Sequence, residues 1–307
     1  MGKFKYFAII IILGMFLSLA SPSTNVFARP LGQAVVPAVG LGTAEAFAVL
    51  AGSGISNTNA TTISGDVGSS PTSTETGFGS VTFASGANHT DPDPNDAVTQ
   101  QAKLDLTAAY TDAAGRPFSV VPSELGSTML LPGVYKNTAT SDFQITGALT
   151  LDAQGNPFSV FIFQSDTTLV TASNSSVNLI NGANACYVFW QVGSSATLGT
   201  ATSFQGTIMA DQSITDNGGS TVTGRLLASV GAVTLNNTTI NRPICPVPEP
   251  DEDDEGDNED AISALPSTGG APIQNYVLPW SLVMAGCLGV MALVLSIRAY
   301  RKTSRPK

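Results

Sequence analysis

Between residues 29 and 248 the chain is written in short apolar–polar alternations broken by turn residues, with one long exception. Leu169, Leu198, Ile214 and Val233 are each flanked by Thr, Ser, Ala, Val or Gly. A period of two of this kind predicts half-buried strands. With those four inward, Thr168, Thr197, Ser213, Thr215, Ala232 and Thr234 face outward, and Thr150 does the same on the preceding coil. The segments also repeat. Gly206-Thr-Ile-Met-Ala210 returns as Gly224-Arg-Leu-Leu-Ala228, and Val160-Phe-Ile-Phe-Gln164 returns as Tyr187-Val-Phe-Trp-Gln191. Repeats of roughly 20 residues with Gly and Asn at the corners predict coils of a β-solenoid, irregular because the spacings differ.

The exception reads as a helix over about 94–114. Asp93 and Pro94 supply an N-cap and a first helical residue, good helix formers follow, and Gly115 and Pro117 end the run. Val98, Ala102, Leu106, Ala109 and Ala113 form one narrow stripe of mostly small side chains. Such a stripe suits a helix laid along a flat surface.

The two ends carry a different pattern. Lys3 and Lys5 precede an apolar run from Phe7 to Leu19, and small residues offer cleavage after Ala28 or Ala20. This reads as a secretory signal over 1–28; the alternative is an uncleaved anchor. Near the other end comes an acidic stretch within 249–264, whose like charges predict an extended linker. Leu265, Pro266, Ser267, Thr268 and Gly269 follow, then an uncharged segment over 276–297 and a basic tail over 298–307. As a helix that segment would span roughly 33 Å, enough to cross a bilayer. The basic tail predicts a cytoplasmic C-terminus and an outward-facing domain over 29–248. This ending resembles the sorting signal of Gram-positive wall-anchored proteins. The resemblance implies that a sortase acylates itself on Thr268, cleaves before Gly269 and passes the chain to a cell-wall amine, while the membrane helix holds the substrate.

Composition narrows the function classes. Charged residues are 12% of the chain, against about 25% in ordinary domains, and the net charge is −10. A nucleic-acid binder would need basic patches, so no nucleic acid is expected. The single histidine, His89, reads as a solvated loop residue, and no metal or cofactor is expected. Asp66, Asp142, Asp152, Asp166 and Asp211 stand isolated among few basic residues, which argues against the clustered carboxylates of solenoid lyases and hydrolases. The expectation is a non-enzyme. Cys186 and Cys245 both lie in the exported domain, so they are either a disulfide or two buried thiols, while Cys287 falls in the predicted membrane segment.

The blocks between Leu41 and Ile244 are specific in their order. Leu41-Gly-Thr-Ala-Glu-Ala-Phe-Ala-Val-Leu50, Ile63-Ser-Gly-Asp-Val-Gly68, Leu131-Pro-Gly-Val-Tyr135, Leu149-Thr-Leu-Asp-Ala-Gln-Gly155 and Ala185-Cys-Tyr-Val-Phe-Trp-Gln-Val-Gly193 lead to Gly231-Ala-Val-Thr-Leu235. Together they resemble the microbial ice-binding protein family. The resemblance implies a mainly β fold: a discontinuous right-handed β-solenoid of triangular section with one long helix alongside. It also implies a flat outward Thr/Ser/Ala face that binds ice as a monomeric domain. Some members carry Thr-(Ala/Gly)-x-(Thr/Asn) at that face. Thr171-Ala172-Ser173-Asn174 matches, and Thr200-Ala201-Thr202-Ser203 comes close. The expected ice-contacting residues are therefore Thr150, Thr168, Thr171, Asn174, Thr197, Thr200, Ser213, Thr215 and Thr234. Asp216 reads as an unwelcome charge near the face. The competing reading is a surface adhesin that uses the same scaffold on polysaccharide or on neighbouring cells.

Overall fold

The structure is a computed structural model that describes residues 36–89 and 96–246. The predicted signal, linker, sorting motif, membrane segment and basic tail fall outside the described residues. Twenty-one strands are present among those described, and every pairing between them is parallel. Strands are numbered in chain order and fall on three faces.

The first face stacks β4 (Asp66–Ser69), β1 (Phe47–Ala51), the C-terminal halves of β19 (Thr221–Ala228) and β17 (Ser203–Ala210), then β15 (Val188–Val192), β12 (Phe161–Ser165), β9 (Gly133–Lys136) and β7 (Ser119–Val120). The second stacks β10 (Phe143–Ile145), β13 (Leu169–Thr171), β16 (Ala196–Leu198), β18 (Ile214–Asp216), β20 (Val233–Asn236), β2 (Ile55–Thr58) and β5 (Glu75–Thr76). The third holds β8 (Met129–Leu130), β11 (Ala148–Asp152), β14 (Ser176–Ile180), the N-terminal halves of β17 and β19, then β21 (Thr239–Asn241), β3 (Thr61–Ser64) and β6 (Val81–Ser85).

Chain order and stacking order disagree at one joint. The last coil stacks on the first: Leu226 lies opposite Val49, Thr234 opposite Ser56 and Ile240 opposite Ile63. The order of the coils in the stack therefore differs from their order in the chain. The long strands β17 and β19 bend from the third face to the first at Gly206 and Gly224. A Cβ on Gly224 would lie 1.8 Å from the Gly206 carbonyl oxygen, so only glycine lets the two bends nest. That contact explains the repeated Gly at the head of both segments.

Inside the coils, Phe161, Phe163, Trp190, Phe204, Leu226 and Ile240 belong to one continuous core. Phe163 stacks on Trp190 with ring centroids 4.0 Å apart, and the indole N–H donates to the Gln205 carbonyl oxygen at 3.1 Å.

The helix α1 (Ala97–Gly115) covers the first face. It starts later than the sequence pattern suggests. Its cap is Asp96, whose carboxylate accepts from the Thr99 backbone N–H at 2.8 Å, and not Asp93. The buried stripe is Thr99, Ala102, Leu106, Ala109 and Ala113, while Val98 is 46% exposed. Small alanines let the helix approach Ile162, Phe189, Met209 and Leu227. Polar groups then fix its register. Gln164 Nε2 donates to the carbonyls of Ala113 and Arg116, and Gln191 Nε2 donates to Tyr110 Oη. Lys103 Nζ donates to the Ala228 and Ser229 carbonyls. Burial pushes the Lys103 ammonium down to about 8. His89 is held rather than solvated: Nε2 lies 3.3 Å from Asp66 and Nδ1 lies 3.4 Å from the capping Asp96.

Cys186 and Cys245 form a disulfide.

Candidate functional site

With the first face covered by α1, the second is a seven-stranded sheet of short parallel strands. Alternation sends Leu169, Ala196, Leu198, Ile214, Val233 and Ile55 inward. One outward row then runs in unbroken register through Gln144, Val170, Thr197, Thr215, Thr234, Ser56 and Thr76. A second row lies two residues upstream. The inward-pairing bonds Phe143 N–H to Thr168 O, Leu169 N–H to Ser195 O, Ala196 N–H to Ser213 O and Ile214 N–H to Ala232 O tie its members together. Parallel strands repeat at about 4.8 Å, so these side chains form a regular array. Threonine suits such an array because its β-branched χ1 is stiff.

Five of the expected contact residues, Thr168, Thr197, Ser213, Thr215 and Thr234, are brought together in these two rows. Asn174 and Thr200 stand at the adjoining corner, both exposed, Asn174 with φ 60°. Two others are placed elsewhere. Thr171 is buried, 3% exposed. Its hydroxyl pairs with Thr202 Oγ1 at 2.9 Å and accepts from the Gly199 N–H at 2.9 Å. As the third residue of β13 it has the parity of Leu169 and points inward, which the motif match obscured. Thr150 lies on the third face, opposite Asn178 and Met129, because β11 belongs to that stack. Asp216 is no surface charge. It is 1% exposed and its carboxylate accepts from the Gly218 N–H, Ser220 Oγ and Thr238 Oγ1.

The same corner carries a groove of about 540 Å³ lined by Asn59, Thr200, Asn217, Asn236 and Asn237 with the Gly218–Gly219 turn. Asn59 Nδ2 donates to Asn236 Oδ1 at 2.9 Å, and Asn236 Nδ2 donates to the Asn217 carbonyl at 3.2 Å. Stacked amides thus link successive corners.

Sequence reasoning missed Ser56, Thr76 and Ser195. Ser56 and Thr76 join the row only because β2 and β5 stack beyond β20, and nothing local in the sequence signals that. It also missed a second uncharged row, on the third face: Ser176, Ser203, Thr221, Thr239, Thr62 and Thr82 in continuous register. The neighbouring outward row there mixes the longer Asn178, Gln205 and Asn241 with Thr150, Thr223 and Ser64. The second face carries a long side chain, Gln144, only at the end of its central row, and between its end strands offers Thr, Ser, Ala and Val.

Charge is excluded from this surface. Residues 168–180, 195–205, 213–223, 232–241 and 54–64 hold one charged side chain, the buried Asp216. Charges sit at the ends of the row, such as Asp142. Hydrogen bonds from Thr140, Gln144 and Ser123 hold the Asp142 carboxyl below its ordinary value. Among the described residues no group of three His, Cys, Asp or Glu could hold a metal ion.

The chain matches the family model described as Ice-binding-like over residues 49–241. It is 42% identical over 225 residues to an ice-binding protein of Nostoc sp. (strain HG1), covering 69% of this chain and 79% of that protein. It is 37% identical over 235 residues to an ice-binding protein of Colwellia sp, covering 71% and 89%. Among solved structures, an ice binding protein from an Antarctic biological consortium superposes with TM-score 0.65 at 42% identity, covering 69% of this chain and 95% of that one. The ice-binding protein of Antarctomyces psychrotrophicus gives TM-score 0.62 at 37% identity, covering 68% and 100%.

Proposed function

The chain belongs to the ice-binding-like family, and from that premise we propose that it adsorbs to ice through the second face. The observation that carries the assignment is the central row Val170, Thr197, Thr215, Thr234, Ser56 and Thr76. Its strand spacing of about 4.8 Å lies close to a repeat of the hexagonal ice lattice. Threonine methyls fill hollows of the ice surface and hydroxyls tether its water. A charged side chain would keep its own hydration shell and hold the lattice away. Thr168, Ser195 and Ser213 widen the contact on one side, and Thr200 and Asn174 extend it at the corner. This reading assigns no catalytic residue and no cofactor. The outward rows of the second face present no aromatic ring on which a sugar could stack, which favours ice over a polysaccharide.

The same reading extends to the ends. Residues 1–28 export the chain, 29–248 form the ice-binding domain and 249–264 space it from the surface. A sortase acting at Leu265, Pro266, Ser267, Thr268 and Gly269 joins it to a cell-wall amine, with 276–297 held in the membrane and 298–307 in the cytoplasm before sorting. The support is the order of these segments in the sequence. A tethered domain would fix cells to ice or restrain its recrystallisation at the wall.

Two experiments separate the parts. Residues 29–248 are watched with single ice crystals in a nanolitre osmometer; shaped crystals and a freezing-point gap are expected, and round, freely growing crystals overturn the ice reading. In sortase-bearing cells, Thr268→Ala is expected to shift the chain from the wall to the membrane fraction. An unchanged wall fraction overturns sorting and leaves the ice reading intact.

A further inference from the structure

The chain leaves the solenoid by an unusual route. β21 is the last strand, yet it does not lie at the edge of its sheet. It pairs with β19 on one side and β3 on the other, and so forms the joint on the third face between the last coil and the first. The joint is short, three residues extended by the Arg242 N–H bonding to the Ser64 carbonyl at 3.0 Å. Beyond it, residues 242–245 turn back along the stack. The strand order β21, β19, β17, β15 means they retrace the levels of β19 and β17 before Cys245 bonds to Cys186. The Tyr187 hydroxyl then donates to the Pro246 carbonyl at 2.9 Å. Ile244, between the two fixed points, is 90% exposed.

We infer that residues 242–246 are a tension-carrying strap whose disulfide diverts a pull on the C-terminus away from β21 and into the middle of the solenoid. Without the bond, a pull beyond Pro246 is held by the single hydrogen bond from Tyr187, and once that breaks it reaches Arg242 and then Asn241. It would peel β21 from β19 and β3 one hydrogen bond after another, and the seam between last and first coils would open. With the bond, the pull arrives at Cys186, which is 4% exposed and two residues before β15. β15 is paired with β12 over five residues and with β17 over four, and it carries Phe189 and Trp190 into the two cores. Freeing β15 means breaking both of these ladders, which are longer than the three-residue pairings that hold β21 on either side. The strap's use rests on the tethered reading, in which ice pulls on the second face while the wall holds the C-terminus. The strap itself rests on strand order and the disulfide.

The test pulls on the purified full-length chain in detergent by optical tweezers. One handle is attached at Val170→p-azidophenylalanine on the second face and the other at the C-terminus. The oxidised chain is expected to stretch smoothly and to show no discrete step before its coils rupture. Cys186→Ser/Cys245→Ser is expected to add an early, lower-force step as 239–245 are released, up to roughly 25 Å at about 3.5 Å per residue. If that variant does not fold, reductant added to a folded wild-type molecule already held between the handles makes the same comparison. The same first step at the same force in oxidised and reduced chains overturns the proposal. The pull does not depend on wall sorting, which the Thr268→Ala fractionation reads separately.

Discussion

Thr171 and Thr202 close a hydrogen bond of 2.9 Å between their hydroxyls, inside the corner where the second face turns into the third. The residue that best matched the family's contact motif is therefore a staple of the corner. Thr202 also donates to the Gly199 carbonyl at 2.7 Å, so each hydroxyl is satisfied. Thr171→Val keeps the shape and leaves partners unmade, at a cost of about 1–3 kcal/mol. Urea unfolding is expected to show that loss, while folded protein in the cold still shapes ice. Abolished shaping at unchanged stability would return Thr171 to the ice face.

Asp216 makes a stronger version of the same point. A buried carboxylate held by Gly218, Ser220 and Thr238 ties three corner positions together. Asp216→Ala strands those donors, and a loss of about 2–4 kcal/mol is expected. Asp216→Ala at wild-type melting temperature with improved ice activity would show that the charge acts at the surface after all.

Lys103 gives the fold a pH dependence of defined sign. Its folded value, about 8, lies below the ordinary 10.5 of the unfolded chain. Between those values the unfolded state binds the proton and the folded state does not, so stability rises with pH through that window and the deficit is full below it. A gain of about 1–2 kcal/mol is expected between pH 7.5 and 10, after allowance for solvent near the ammonium. Chemical unfolding at successive pH values should show the gain in the wild type and its absence in Lys103→Met. Equal slopes in both would remove Lys103 as the cause.

Much of this was legible because it repeats locally. The Leu169, Leu198, Ile214 and Val233 alternation identified the inward side, and the shared Gly206 and Gly224 segments signalled stacked coils. The helix was visible in its run of helix formers, but its start was not. Asp93 and Asp96 are equally good caps on paper, and only the reach of Asp96 to Thr99 decides between them. What could not be read was pairing across long separations. Ser56 meets Thr234 because the last coil stacks on the first. Thr150 looked equivalent to Thr168 by alternation, yet alternation says which side of a strand a residue takes and not which face the strand joins. Asp216 was misread because hydropathy expects charge outside, whereas three nearby donors satisfy it within.

The central claim is that ice meets the second face and not the third, and paired substitutions on the two rows test it most directly. Thr215→Tyr and Thr221→Tyr place the same bulky ring in adjacent coil positions of the second and third rows. Thermal hysteresis and ice shaping would be measured at equal concentrations of folded protein. The account predicts near-complete loss with Thr215→Tyr and wild-type activity with Thr221→Tyr. Full activity in Thr215→Tyr, or loss confined to Thr221→Tyr, would contradict it.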